Sequence, residues 1–128
     1  MPRVLVIDDQ TFVRAALRVA LQAKGFDVVT ADDGASGLRA FKASNFDLAI
    51  VDLYMPGIDG VRLIKSLRDC SPRLPIIAMS GVFLRDSGRS ALDFLPDLPG
   101  LSKIVCLRKP IRSPELLEAI EAAIAAAA

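Results

Sequence analysis

Five polar residues follow short apolar stretches, and their side chains could share one chemistry. Asp8 and Asp9 follow VLVI, Asp52 follows DLAIV, Ser80 follows PIIAM, and Lys109 comes two residues after KIVCL. Clustered carboxylates repel one another, so at neutral pH either one of them takes up a proton or a cation sits between them. An all-oxygen set suits Mg²⁺. With an ammonium and a hydroxyl added, the set fits a phosphoryl group that a carboxylate could attack, giving an acyl phosphate.

These five residues are far apart in the sequence, so the intervening elements must bring them together. Short β-branched stretches alternate with longer segments of helical periodicity. We predict strands at Arg3–Ile7, Asp27–Ala31, Asp47–Val51, Pro75–Met79 and Lys103–Leu107. Most are continuously apolar, which is typical of strands covered by helices on both faces. The sequence therefore predicts a single-domain α/β fold, a doubly wound five-stranded parallel sheet whose carboxyl edge gathers the polar residues.

The segments between the strands predict helices with one apolar face. The first has apolar residues at 13, 16, 17, 20 and 21 and ends near Gly25, the second begins near Asp33, and the third follows Asp59. A short helix is expected at Asp86–Leu95, within the irregular stretch from 81 to 102. The last helix is predicted to start at Ser113-Pro114 and to bury Leu116, Leu117, Ile120 and Ile124. The terminal alanines either extend this helix or form a tail, so we divide the chain into a domain at 1–124 and a tail at 125–128.

Each candidate residue also has an ordinary structural interpretation. Asp8 or Asp9 could be only a helix N-cap, and Asp52 could be a turn residue ahead of Met55-Pro56-Gly57. Ser80-Gly81 is common in loops, and a lysine before proline is usually a solvated charge. The joint occurrence at four strand ends favours a shared site, because all of these independent explanations would otherwise have to hold together.

Composition excludes several classes of function. The 128 residues carry a formal charge of +1 with 52% hydrophobic residues, so direct binding of nucleic acid or of a membrane surface is not expected. The chain contains no histidine, which excludes Ser-His-Asp and Cys-His catalysis within it. Its two cysteines are too few for a disulfide framework. No apolar run approaches the roughly 20 residues of a membrane helix, so we expect a cytoplasmic protein.

The combined motifs resemble the receiver domain of two-component response regulators, the CheY-like family. The matching features are Asp8-Asp9 after VLVI, the DLYMPGIDG segment from Asp52, Ser80 after IIAM, and Lys109-Pro110 before a final helix. The likeness runs from residue 3 to about residue 124. It implies the flavodoxin-like strand order 2-1-3-4-5.

The resemblance also implies roles for individual residues. Asp52 would be the phosphoacceptor, and Mg²⁺ would be held by Asp9, Asp52 and the main-chain carbonyl of Tyr54, with Asp8 acting largely through a metal-bound water. Lys109 would pair with the phosphoryl oxygens, and Ser80 would move towards the phosphoryl group and report the modification. Pro110 would follow a cis peptide bond.

The implied partners follow from the same resemblance. The phosphoryl donor would be a histidine kinase or histidine phosphotransfer protein, since this chain has no histidine of its own. The resemblance implies an unidentified downstream protein partner, and we expect a monomer or a weak dimer linked to phosphorylation. Such a chain is a regulatory phosphoacceptor and not an enzyme in the ordinary sense, since it would only take up a phosphoryl group and slowly lose it to water.

Two departures from the family pattern concern the output of the signal. Cys106 stands where the family usually has Phe or Tyr, three residues before the lysine. Ser80 and Lys109 are 29 positions apart (from 80 to 109), which is longer than the family norm. We therefore hypothesise that phosphorylation is retained while partner recognition has diverged.

Two other classes of function stay open at this point. One is a phosphate-independent interaction domain with an altered output face, which the acidic residues argue against. The other is a small α/β enzyme or flavin binder, which is disfavoured because the chain lacks a glycine-rich phosphate loop and a catalytic histidine.

Overall fold

Seven strands and four helices occur in the part of the chain that the computed structural model describes, residues 1–55, 58–80 and 103–127. In chain order they are β1 (Arg3–Ile7), α1 (Thr11–Gln22), β2 (Asp27–Ala31), α2 (Gly34–Ala43), β3 (Leu48–Asp52), β4 (Tyr54–Met55), β5 (Ile58–Asp59), α3 (Gly60–Cys70), β6 (Ile76–Ser80), β7 (Val105–Arg108) and α4 (Ser113–Ala127). All five predicted strands are present, with bounds within two residues of the prediction. The helix predicted at Asp86–Leu95 lies outside the described residues.

Five strands form one parallel sheet in the order β2-β1-β3-β6-β7. Since β6 and β7 are the fourth and fifth predicted strands, the predicted order 2-1-3-4-5 is confirmed. In register, Ile7 pairs with Ala31 and Val51, and Asp52 pairs with Met79. The carboxyl ends of β1, β3, β6 and β7 therefore share one edge of the sheet.

The sheet divides the interior into two apolar layers. Along β1, Leu5 and Ile7 contribute to one layer and Val4 and Val6 to the other, since successive side chains point to opposite faces. The first layer packs against α2 and α3, and the second against α1 and α4. All four of these side chains are fully buried, and each contributes about 1.5–3 kcal/mol by leaving water. Two-sided burial explains why the strands are apolar without alternation.

Local signals position two helix ends as expected. Asp33 precedes α2, and its carboxylate accepts a hydrogen bond from the Ser36 main-chain N–H at 2.7 Å. This bond lowers the pKa of Asp33 below its ordinary value. After α1 the chain turns at Gly25, whose φ of +88° is a conformation that side chains with a Cβ rarely adopt.

The apolar face of α4 differs from the prediction. Its buried residues are Leu116, Ala119, Ile120 and Ala123, whereas Leu117 is half-buried and Ile124 is 49% exposed. At 100° per residue, Ile124 lies roughly 90° from the centre of the buried stripe. The prediction chose the bulky residues, whereas alanine occupies two of the four buried positions of the helix. Residues 125–127 continue the helix.

A short hairpin after β3 was not predicted. β4 and β5 pair antiparallel, with Tyr54 opposite Asp59 and Met55 opposite Ile58. Strands of two residues have no usable periodicity, so the sequence indicated only a loop after Asp52.

Candidate functional site

The chain leaves β1 at the carboxyl edge and places two adjacent carboxylates in different environments. Asp8 is fully buried and Asp9 is exposed. The Asp8 main-chain N–H donates to the Ala31 carbonyl at 3.1 Å, which extends the β1–β2 ladder by one residue. Oδ1 of Asp8 accepts from the Gln10 main-chain N–H at 2.8 Å, and the Asp8 carbonyl accepts from the Arg14 guanidinium at 2.6 Å. The bond from Gln10 orients the Asp8 carboxylate, and the other two anchor the Asp8 main chain.

Asp52 is the last residue of β3 and is 3% exposed. The next main-chain N–H, that of Leu53, donates to the Met79 carbonyl at 2.9 Å, so the strand stays paired beyond Asp52. Gly60 then packs against this segment. A Cβ placed on Gly60 would lie 2.6 Å from both the Cα and the carbonyl oxygen of Leu53. The glycine is therefore required by the close approach of α3 to the residue that follows Asp52.

The last two strands bring Ser80 and Lys109 to the same edge. Ser80 ends β6, is 1% exposed and pairs in register with Arg108 of β7. The Lys109 main-chain N–H donates to the Ser80 carbonyl at 3.0 Å. The Lys109–Pro110 peptide bond is cis, as the resemblance implied.

The Lys109 ammonium connects the acidic residues. Its Nζ lies 2.8 Å from Oδ2 of Asp8 and 3.3 Å from Oδ2 of Asp52, and it also donates to Oε1 of Gln10 at 3.1 Å. The lysine side chain is 16% exposed. Burial alone would lower the pKa of Lys109, but the hydrogen bond and charge of Asp8 and the charge of Asp52 outweigh it. The pKa of Lys109 therefore lies above its ordinary value, and the ammonium stays charged at neutral pH.

The three carboxylates form a donor set that fits a divalent cation. One oxygen from each of Asp8, Asp9 and Asp52 lies within 4.8 Å of the others. Oδ2 of Asp8 is buried and, apart from its ion pair with Lys109, has no well-directed hydrogen bond among the described residues. Among the described residues, three carboxylates face the Lys109 ammonium and the Arg14 guanidinium, so the cluster is net negative. Hard oxygen donors in this number, open to water on the Asp9 side, suit Mg²⁺. Tyr54, whose main chain begins β4, is two residues from Asp52.

The structure thus brings together Asp8, Asp9, Asp52 and Lys109, and it places Ser80 at the same sheet edge. Sequence reasoning missed Gln10 and Arg14, which hold Lys109 and Asp8 respectively. A position directly after two acids was the only available signal for Gln10.

The first departure from the family pattern can be located in the fold. Cys106 lies in β7, pairs in register with Ala78, and packs half-buried against the layer under α2 and α3. It therefore fills part of the core with a small side chain at the position where the family pattern usually has Phe or Tyr. Most of the long segment between Ser80 and Lys109 falls outside the described residues.

Comparison with known proteins decides the family. The sequence matches the response regulator receiver domain over residues 4–121. The chain belongs to the receiver domain family of two-component response regulators. Receiver domains accept a phosphoryl group from histidine kinases and act on downstream partners.

Individual relatives agree with this assignment. The transcriptional regulatory protein CseB of Streptomyces avermitilis is 43% identical over 77 residues, which is 60% of this chain and 32% of CseB. The chain spans about a third of the length of that curated relative. A receiver domain from Clostridium thermocellum superposes with a TM-score of 0.81 at 26% identity, covering 98% of this chain and 95% of that one.

A third relative was solved with Mg²⁺ and BeF bound. The response regulator TrrA of Thermotoga maritima, in complex with Mg²⁺ and BeF, superposes with a TM-score of 0.77 at 29% identity, covering 96% of this chain and 99% of TrrA.

Within the described part of our chain, no helix has the length and apolar character needed to cross a membrane.

Proposed function

We propose that this receiver domain is a phosphorylation-dependent switch in which Asp52 accepts the phosphoryl group. The observation that carries the proposal is the bridge from the Lys109 ammonium to Asp8 and Asp52 beside the exposed Asp9. This arrangement places the proposed nucleophile Asp52, the positive charge of Lys109 and the acidic pair Asp8 and Asp9 at one edge of the sheet.

In the proposed reaction, a carboxylate oxygen of Asp52 attacks phosphorus of a phosphohistidine on a separate protein. A P–O bond forms, the P–N bond breaks, and the histidine nitrogen takes up a proton. The donor must be another chain because this one has no histidine. Asp52 suits the nucleophile because its carboxylate lies next to the lysine at 3.3 Å, and that ammonium offsets the negative charge of an incoming phosphate.

Asp9, Asp52 and the Tyr54 main-chain carbonyl are proposed to hold Mg²⁺ directly, with Asp8 acting largely through a metal-bound water. When bound, the ion supplies positive charge that neutralises the phosphoryl oxygens during transfer. Lys109, the residue after β7, supplies the second positive charge. The two Asp8 oxygens are divided between the Gln10 main chain and this lysine.

Ser80 is proposed to report the modification. It is buried at the end of β6, and its carbonyl is bonded to the main chain of Lys109. A shift of Ser80 towards a phosphoryl group on Asp52 would therefore pull on both β6 and β7. The downstream partner would be a protein that recognises this change. The proposed domain extends over residues 1–124. It is proposed to be a monomer or a weak phosphorylation-linked dimer.

The test is incubation with Mg²⁺ and a small acyl-phosphate donor, followed by intact-mass measurement. We expect one phosphoryl increment on the wild type, none with Asp52→Asn, and an unchanged increment with Asp32→Asn as the matched surface control. Labelling that persists in Asp52→Asn would contradict the site assignment.

A second candidate function rests on Cys106. A small, half-buried thiol in β7 in place of an aromatic ring removes one moving part that the family uses for output. This favours a phosphate-independent interaction domain as the alternative. A wild type that stays unmodified in the mass measurement, while remaining folded and binding Mg²⁺, would support that alternative over the phosphorylated switch.

A further inference from the structure

Gln10 occupies the N-cap position of α1 but does not cap the helix with its side chain. Its backbone is extended, with φ −87° and ψ 114°, and no side-chain cap hydrogen bond is formed. The side-chain amide oxygen instead accepts a hydrogen bond from the Lys109 ammonium at 3.1 Å. The residue thus joins the start of α1 to the residue after β7, 99 positions away.

The main chain of Gln10 is tethered on both sides, which fixes where its side chain begins. Its N–H donates to Oδ1 of Asp8 at 2.8 Å, and its carbonyl accepts from the Arg14 main-chain N–H at 3.1 Å. The residue itself is exposed, so its side chain is not held there by packing in the core. The contact with Lys109 is therefore a specific polar interaction.

Gln10 differs in charge from the other acceptors of the ammonium. A lysine has three N–H donors. Among the described residues, the Lys109 ammonium contacts two carboxylates and one neutral amide. In the proposed function the two carboxylates also take part in binding Mg²⁺ and the phosphoryl group, so their contacts with Lys109 must change. The neutral amide takes no part in that exchange and can keep its contact throughout.

We propose that Gln10 is a positioning residue that holds the Lys109 ammonium over Asp52 while the carboxylates exchange partners. This inference rests on the proposed phosphoacceptor function. Without the amide, the long lysine side chain regains rotamer freedom and meets an incoming phosphate less often in the right place.

The test compares Gln10→Met, which keeps the length but removes the acceptor, with Gln10→Glu, which keeps an acceptor. Gln22→Met, at the exposed end of α1, is the matched control. Three quantities are measured: the affinity for beryllofluoride at saturating Mg²⁺, the affinity for Mg²⁺ alone, and the NMR signal of the Lys109 ammonium in the metal-free chain.

We expect Gln10→Met to weaken beryllofluoride binding about fivefold, as for loss of one partly exposed charged hydrogen bond. Its Mg²⁺ affinity should change by less than about twofold, because among the described residues the Gln10 side chain is hydrogen-bonded to Lys109 and not to a carboxylate. The ammonium signal should broaden in Gln10→Met and return in Gln10→Glu, and Gln22→Met should match the wild type throughout.

Two results would overturn the role of Gln10. One is beryllofluoride binding by Gln10→Met at wild-type affinity, and the other is an equal loss of Mg²⁺ and beryllofluoride affinity, which would mean a general disturbance of the site. A wild type that binds no beryllofluoride would instead overturn the proposed function itself, so the two failures are distinguishable.

Discussion

Replacing Asp9 by Asn should stabilise the metal-free protein and weaken its binding of Mg²⁺. Asp9 is the exposed member of the acidic cluster, and the Lys109 ammonium contacts the other two members. The negative charge of Asp9 therefore repels the other two carboxylates and makes no ion pair with Lys109. Asn keeps the shape of the side chain and removes the charge.

The size of the effect follows from the spacing. Two unit charges 4.8 Å apart, the outer limit for the carboxylate oxygens, repel by about 0.9 kcal/mol at the dielectric constant of water and about 3.5 kcal/mol at an effective value of 20. Asp9 is repelled by both Asp8 and Asp52, and the positive charge of Lys109 offsets about one of these two repulsions. Since Asp9 is exposed, the value near the water limit applies, and we expect the free energy of unfolding to rise by about 1 kcal/mol.

The assay is urea denaturation in three buffers: low salt with a chelator, 1 M salt with a chelator, and Mg²⁺ without a chelator. Screening at 1 M salt should reduce the gain by at least about half, because the Debye length falls to about 3 Å. In Mg²⁺ the variant should become less stable than the wild type, since it lacks one of the proposed ligands and its affinity for the ion should drop at least about tenfold. Asp32→Asn, an exposed acid after β2 outside the cluster, is the control. A variant less stable than wild type in chelator, or a gain unaffected by salt, would refute the electrostatic reasoning.

Three further predictions test the packing and charge of the site. The pKa of Lys109 is higher in the folded protein, so its ion pairs stabilise the fold fully below the pKa of an unfolded lysine, and this stability is lost as the pH rises through the folded pKa. Lys109→Met in chelator should therefore show a smaller loss of stability at alkaline pH than the wild type. Gly60→Ala should cost about 1–3 kcal/mol, because its Cβ would overlap the main chain of Leu53, and an unfolding midpoint equal to wild type would contradict that contact. Ala123→Gln should destabilise by more than about 2 kcal/mol, while Ile124→Gln, at a half-exposed position, should cost only about 1 kcal/mol. Equal effects in thermal or urea unfolding would mean that the buried face of α4 is wrongly assigned.

The fold was largely predictable because local and global signals agree. Continuous apolar stretches such as VLVI require burial on both sides, and that requirement already implies a parallel sheet between helices. The helix starts at Asp33 and Ser113 carry their own signals in residue type. The buried stripe of α4 was less predictable, since periodicity does not state how closely a helix approaches its sheet, and Ala123 took the place expected for Ile124.

The candidate site was predictable in its residues and not in its contacts. Residue type and the position after each strand were enough to name Asp8, Asp9, Asp52, Ser80 and Lys109. They could not distinguish the buried Asp8 from the exposed Asp9, because adjacent residues differ in burial only once the turn into α1 is formed.

The sequence by itself determined which strands form, that both sheet faces are covered, and which charged groups reach the carboxyl edge, because those properties depend on residue type and local periodicity. Only the tertiary structure decided that one ammonium bridges Asp8 and Asp52 and that Gln10, the residue before α1, accepts a hydrogen bond from it. These contacts join residues up to 101 positions apart (from 8 to 109), and their distances depend on strand register and side-chain rotamers. Local sequence carries no information on either quantity until the sheet is assembled.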